Sequence, residues 1–428
     1  MNKTSALKII ALCLICSFFT GVWVYAATPS IIQTVGLGPY PGADRYTIFL
    51  ISGTYYARDQ NGVNEFSSSN FSQVVNNAFA AGDGTVKLTA NTYVADSTLT
   101  PDEGDRLIGE GKSATWIASV ADPIISWTGQ DHIEIEDLTL DGDGMANDAI
   151  NIYGTWDSVT NSFIILKDLV ITDVDTGIWL NSTLWSTFDN IRISESVNGV
   201  YFNDGCVNNE INKLQVTDCS GDGIVIDYVS QRSEGLSFTD TVIFNVTSQS
   251  VLIDDGFEIY FQNSIFDYGR AADFVNIRGG NTIKFDNCYF STFPVAIGGV
   301  GTVLVSPTQT DVNSTQFNRC TFAWLGGWGL SLIDSGGTPV LYATVTDCVF
   351  LNNGDSGAGG DLYIEDSDYI KVIGCDFQSN EQYAVYENAA SLNNTIAFCN
   401  SLYTDIVLLG SGVHYYGVWN ASIWASLG

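Results

Sequence analysis

The phrase "TIKFDNCYF", residues 282–290, returns along the chain as "TQFNRCTF", "ATVTDCVF", "IKVIGCDF" and "TIAFCNSL". Upstream the same pattern stands without cysteine in "IEDLTL", "LKDLVI", "FDNIRI", "INKLQV", "FTDTVI" and "FQNSIF". Anchored on the residue after the polar position, it falls at Leu138, Leu169, Ile191, Leu214, Thr241, Ser264, Cys288, Cys320, Cys348, Cys375 and Cys399. The spacing averages about 26 residues and varies from roughly 22 to 32, the length of one solenoid coil. A unit this short buries no core alone, so stacked units share a continuous one. The 428 residues are therefore expected to form one long domain where length alone suggests two or three.

Side-chain parity explains the polar position. Ile283 and Phe285 alternate on one face of a strand, and so do Cys288 and Phe290, but the two sets are out of step. With a period of two, both sets point inward only if the chain bends between them. The bend falls on Asn287 and its equivalents Asp137, Asp168, Asn190, Lys213, Asp240, Asn263, Arg319, Asp347, Gly374 and Phe398. Most of these are Asp, Asn or Gly, the residues that tolerate a left-handed corner. A third strand follows, often after Gly, in "TGIWLN", "NGVYFN", "DGIVID" and "GDLYIE". Three short strands per coil without helical periodicity describe an all-β parallel β-helix of about 12 coils. A leucine-rich repeat has a similar period, but leucine is too sparse here.

Open ends of such a tube need covering. Phe71, Val74, Val75, Ala78 and Phe79 follow helical spacing after Asn70, a good N-cap, so a capping helix is expected over residues 71–80. The β-helix is placed at 53–410 after an N-terminal extension, 27–52. Tyr415, Tyr416, Trp419 and Trp424 supply an aromatic cap or tail over 411–428. At the start, "MNKTSALK", the apolar "IIALCLICSFFTGVW" and "VYA" follow the plan of a signal peptide cleaved after Ala26; uncleaved, the same run would anchor the chain in a membrane. Export to the exterior or the cell surface is the expectation. Sequons at Asn70, Asn181, Asn245, Asn313, Asn393 and Asn420 fit an exported glycoprotein.

The formal charge is −32, from 48 acidic and 16 basic residues. That balance excludes a nucleic-acid partner, which requires a basic face.

The succession "NFSQVVNNAFAAGDGTVKLTANTY", "LIGEG" and then Asn/Asp-Cys-x-Phe coils resembles the pectate-lyase-like right-handed parallel β-helix superfamily, in its rhamnogalacturonase-, epimerase- and tailspike-like branch. The resemblance implies a right-handed solenoid that meets extracellular polysaccharide or a surface glycan. It covers lyases, hydrolases, epimerases and catalytically silent surface proteins alike, so it leaves a non-catalytic adhesion or structural role open. The Arg-x-Pro-x-x-Arg, Asn-Thr-Asp, Gly-His-Gly and Arg-Ile-Lys motifs of its enzymes are absent, so no catalytic residue is carried over.

Enzymes of that superfamily work on the outer face of one sheet, taken here as the post-Gly strands. One outward column runs Asn151, Trp179, Tyr201, Val225, Leu252 and Asn276, and the next runs Asn181, Asn203, Asp227, Asp254 and Arg278. Asp227 and Asp254 on consecutive coils, about 5 Å apart, suit the acid and nucleophile of a retaining glycosidase. Arg278 suits a sugar carboxylate, and Trp179 and Tyr201 suit sugar rings. The same residues also describe a solvated acidic stripe with an aromatic ladder. Asp173, Asp175, Asp218 and Asp222, with Glu195, offer oxygen ligands for Ca²⁺, and "DGDGMAND" adds Asp141, Asp143 and Asp148. The five column cysteines read as buried apolar groups. Cys206 and Cys219 are the better candidates for a disulfide. His132 and His414 stand alone.

Overall fold

In the computed structural model of the protein, residues 44–420 are described, apart from 83, 145–147, 157, 272, 293–301, 309–311, 335–336, 355–358, 380–382, 402–404, 409, 411–413 and 417–418. The expected signal peptide, most of the extension and Trp424 lie outside these residues.

Each coil lies parallel on the one before it. The Ile165–Thr172 strand pairs with Glu134–Asp141 below and Thr187–Ser194 above, placing Leu138, Leu169 and Ile191 in one column. All eleven expected bend residues have positive φ, from 52° at Asp168 to 71° at Gly374. They include Lys213, Arg319 and Phe398, which have no intrinsic preference for that region. In Ile165–Thr172 the buried positions are Leu166, then Leu169 and Ile171, so the bend changes the parity as required. A left-handed residue with a Cβ costs about 1–2 kcal/mol. Side-chain hydrogen bonds between coils offset this at several corners, as from Asn287 Nδ2 to Asn263 Oδ1 at 2.9 Å.

Two sides of the tube merge into one 31-stranded sheet; Glu134–Asp141, Ile165–Thr172 and Thr187–Ser194 run through the corner unbroken, and in later coils the strand is interrupted at the bend residue. The third side is a separate 12-stranded sheet in simple chain order from Ile125–Thr128 to Asp405–Leu408. The interior is filled by columns of identical side chains at the coil spacing. Phe238, Phe261, Phe285 and Phe317 stack with centroids 4.5, 4.9 and 5.2 Å apart. Phe266, Phe290, Phe322, Phe350 and Phe377 form a second stack.

Cys288, Cys320, Cys348, Cys375 and Cys399 make the expected inward column of free, buried thiols. Each thiol meets a carbonyl of the previous coil, as Cys348 Sγ meets Phe317 O at 3.3 Å. Burial lifts the Cys320 thiol well above its ordinary value. Cys206 and Cys219 are likewise free and buried, so the expected disulfide is not formed. They occupy different corners of one coil: Cys206 follows Asn198–Asp204 and contacts Leu180 O, while Cys219 follows Gln215–Thr217 and contacts Thr217 O.

The helix Phe71–Ala80 covers the N-terminal end, with Asn70 Oδ1 accepting from Gln73 N at 2.7 Å. Phe71, Val74, Val75, Ala78 and Phe79 are its buried apolar residues. Part of the expected extension belongs to the sheet, since Asp44–Ile51 pairs with Thr54–Asp59 and with Thr85–Leu88. At the other end His414–Tyr416 and Trp419–Asn420 pair with the preceding coil, so part of the expected aromatic tail continues the ladder. Among the described residues no helix is long and apolar enough to cross a membrane.

Candidate functional site

The 12-stranded sheet presents its outward residues in register. Ser126, Asn151, Trp179, Tyr201, Val225, Leu252, Asn276, Leu304, Ser331, Tyr363 and Tyr386 are successive partners. The first expected column is therefore present in full, and it extends further at both ends.

The second column needs one correction. A register shift after Leu180 sets Asp204, not Asn203, opposite Asn181. Asp204 is buried and accepts from Ser230 N, Ser230 Oγ and Gln231 N at 2.6–2.8 Å, pinning the loop that follows Asp227. The ion pair from Arg232 Nε to the buried Asp255, 2.6 Å, holds the same loop from above.

Asp227, Asp254 and Arg278 do fall on consecutive coils. Their backbone N–H groups donate to Phe202, Ile226 and Ile253 carbonyls at 2.8–2.9 Å, so each occupies the same place just past its strand. Tyr201 Oη donates to Asp227 Oδ2 at 2.7 Å, and Tyr228 N donates to Asp227 Oδ1 at 2.8 Å. Arg278 Nη1 lies 3.2 Å from Asp254 Oδ1. Burial raises the Asp254 carboxyl; Arg278 opposes that rise, and the charge and hydrogen bonding of Asp227 reinforce it. Asp273 beside them is raised by burial against the pull of Arg278. Tyr201 is raised by burial and by its bond to Asp227, so it remains a proton donor. The site thus holds a carboxyl biased toward protonation next to a second carboxylate fixed by two donors.

Aromatic side chains flank this group. Tyr153, Trp179 and Tyr201 succeed one another with centroids 6.4 and 5.6 Å apart, tilted by 46° and 42°. At the far end Trp328 packs on Tyr363 and Tyr383 at 5.0 and 6.2 Å, with Tyr386 beside them. Sequence reasoning missed this second group. Tyr363 and Tyr386 were reachable by carrying the outward column three and four coils further; Trp328 comes from a loop and carries no periodic signal.

The proposed cation ligands do not converge. Asp173 and Asp218 stand at a left-handed corner column with Glu195 and Asn245, and Asn245 Nδ2 donates to Asp218 Oδ1 at 2.6 Å. Asp175 and Asp222 stand at the next corner, where their carbonyls accept from Asn198 and Gly199. Two separate columns give no shared coordination sphere, and among the described residues no group of three or more His, Cys, Asp or Glu is placed to hold a metal. Asp141 accepts from Asp143 N, and Asp148 accepts from Asn151 Nδ2, so these acids serve local turns and the sheet face. His132 stacks on Phe163 at 5.0 Å, and the side chain of His414 lies outside the described residues.

These coils define a class. Residues 123–290 match the family described as right handed beta helix region, and the fold of the chain is a right-handed parallel β-helix. Among solved structures, the N-terminal fragment of gene product 12 from bacteriophage Phi29 superposes with a TM-score of 0.56 at 15% identity, over 80% of this chain and 70% of that one. An exopolygalacturonase of Thermotoga maritima gives 0.52 at 11% identity, over 66% and 83%. The Agl-KA catalytic domain gives 0.53 at 13%, over 82% and 65%. At such identities the likeness is one of fold. No curated protein matches the sequence.

Proposed function

We propose that this is an exported protein that binds an extended extracellular polysaccharide along the outer face of its 12-stranded sheet. The observation that carries the reading is the arrangement of one face: an acid–arginine group in one outward column, with aromatic side chains before and after it along the sheet. Sugar rings pack on aromatic faces, and their hydroxyls pair with carboxylates and guanidinium. The fold is compatible with such a role, since the Thermotoga maritima protein that shares it is an exopolygalacturonase. The strongly acidic chain favours a neutral polymer over a polyanion.

Catalysis is a second reading, supported by Asp254. A carboxyl raised by burial beside a second carboxylate is suited to give a proton to a glycosidic oxygen while the other carboxylate serves the attacking water or the sugar.

Neutral and uronic polysaccharides, each with and without Ca²⁺, test both readings when bound polymer, reducing ends and unsaturated products are measured. Binding is expected to fall about tenfold in the variant carrying Trp179→Ala and Tyr201→Ala. Products that vanish in Asp254→Asn establish an enzyme, and binding without products establishes a non-catalytic module. Failure of every polymer to bind removes the proposal.

A further inference from the structure

The corner between the short strand Thr183–Leu184 and the strand Thr187–Ser194 carries a stack of rings on the outside of the tube. His132, Phe163 and Trp185 stand there on successive coils, with centroids 5.0 and 5.8 Å apart and planes inclined by 20° and 23°. All three have a left-handed backbone, with φ of 59°, 58° and 49°. The next two coils place Asn208 and Gly235 at the same corner, residues at ease in that region. A bulky ring is strained there, so it persists only where its contacts repay the strain. Phe163 has a ring on either side, His132 and Trp185.

Trp185 ends the stack. Phe163 lies on one side of it, and the indole is 52% exposed. Register puts Asn208 on the coil above, because Thr187 pairs with Glu210. Asn208 does not lie down on the indole, since its side chain leans further up onto Gly235, where an added Cβ would meet Asn208 Oδ1 at 2.3 Å. The ring face toward the next coil is therefore open, and the strain at Trp185 is not repaid by a second ring. Strain held at an exposed side chain points to a contact made outside the chain.

The neighbours of that open face define what suits it. The Asn208 amide offers donors and an acceptor, and Glu210 offers a carboxylate that accepts from hydroxyls. Glu234 lies one coil beyond, across from Val207. An anion would meet both carboxylates, whereas a neutral sugar ring has an apolar face edged by hydroxyls. We propose that the open face of Trp185 binds a neutral pyranose, which takes the next place in the stack while its hydroxyls pair with Asn208 and Glu210. The site lies on a corner of the tube and not on the outer face of the 12-stranded sheet, so it stands independently of the reading of that face.

Calorimetric titration with trisaccharides of glucose, xylose, mannose and galacturonate tests the idea. The full chain carrying Trp179→Ala and Tyr201→Ala lacks the rings of the sheet face and isolates the corner. A neutral trisaccharide should bind it, and adding Trp185→Asn should weaken that binding at least about tenfold. Trp116→Ala, which removes an exposed ring from the strand Thr115–Ser119, should change nothing. Asn already occupies left-handed corners at Asn190, Asn208 and Asn263, so Trp185→Asn suits the backbone and should melt at the wild-type temperature or above it. A lower melting temperature would show that the ring serves the fold, and would overturn the proposal. It is equally overturned if no neutral trisaccharide binds, if Trp185→Asn leaves binding unchanged, or if galacturonate is preferred. Trisaccharide binding that disappears with Trp179→Ala and Tyr201→Ala alone belongs to the sheet face, and removes the corner site while keeping that face.

Discussion

Asp361 makes the stability of this protein depend on pH in a direction opposite to that of most carboxylates. It is fully buried in the strand Gly360–Glu365. Its Oδ1 accepts from Asn353 Nδ2 at 2.9 Å and from Ser379 Oγ, and its Oδ2 has no partner among the described residues. Both partners are neutral, so burial dominates and pushes the carboxyl up to about 7 from 3.8. Between these two values the folded chain retains a proton that the unfolded chain has lost. Stability contributed at this site is therefore intact below the lower value, falls as pH rises, and is fully lost above the higher one. At about 1.4 kcal/mol per pH unit the total is about 4 kcal/mol. Asp361→Asn keeps an acceptor at Oδ1 and stays neutral throughout. Urea unfolding of both proteins at about pH 5.5 and about pH 8 samples the upper half of the window, where the variant should gain about 2 kcal/mol on the wild type. Glu387, also raised by burial, is common to both proteins and cancels in the difference. Parallel pH profiles for the two would refute the reasoning.

Phe398 is 68% exposed at a left-handed corner with φ of 55°. Phe398→Gly should raise stability by about 1 kcal/mol, because relief of the corner exceeds the entropy added to the unfolded chain; a lowered melting temperature would contradict the corner argument. The seven free cysteines among the described residues are all buried. A thiol reagent should label them only after denaturation, and prompt labelling of the folded chain would place them elsewhere.

The corners and the interior columns were legible because two independent constraints agree there. Period-two parity demanded a bend, and Asp, Asn or Gly stood where the bend had to fall, so even Arg319 and Phe398 could be placed by register. The outward column followed by subtraction from the inward one, which put Asp227, Asp254 and Arg278 on adjacent coils. What failed depended on single-residue events. The slip at Leu180 and Asn181 that brings Asp204 into line leaves no trace in hydrophobicity. Spacing likewise says nothing about which corner a cysteine occupies, so Cys206 and Cys219 were misjoined. Another left-handed corner column carries Phe163, Trp185, Tyr342 and Tyr369 at φ of 49–59°. No local preference announces bulky rings in that region.

The solenoid also separates what must be constant from what is free to vary. Asp168 and Asn190 are 22 residues apart, and Asn287 and Arg319 are 32 apart, yet the strands beside both pairs stay in register. The difference in length falls between the ladder strands, whose pairing does not change with it. New segments can thus be grafted along the rim of the outer face while the spacing of the face itself is preserved. The molecule behaves as a ruler whose graduations do not move when its margins are rewritten.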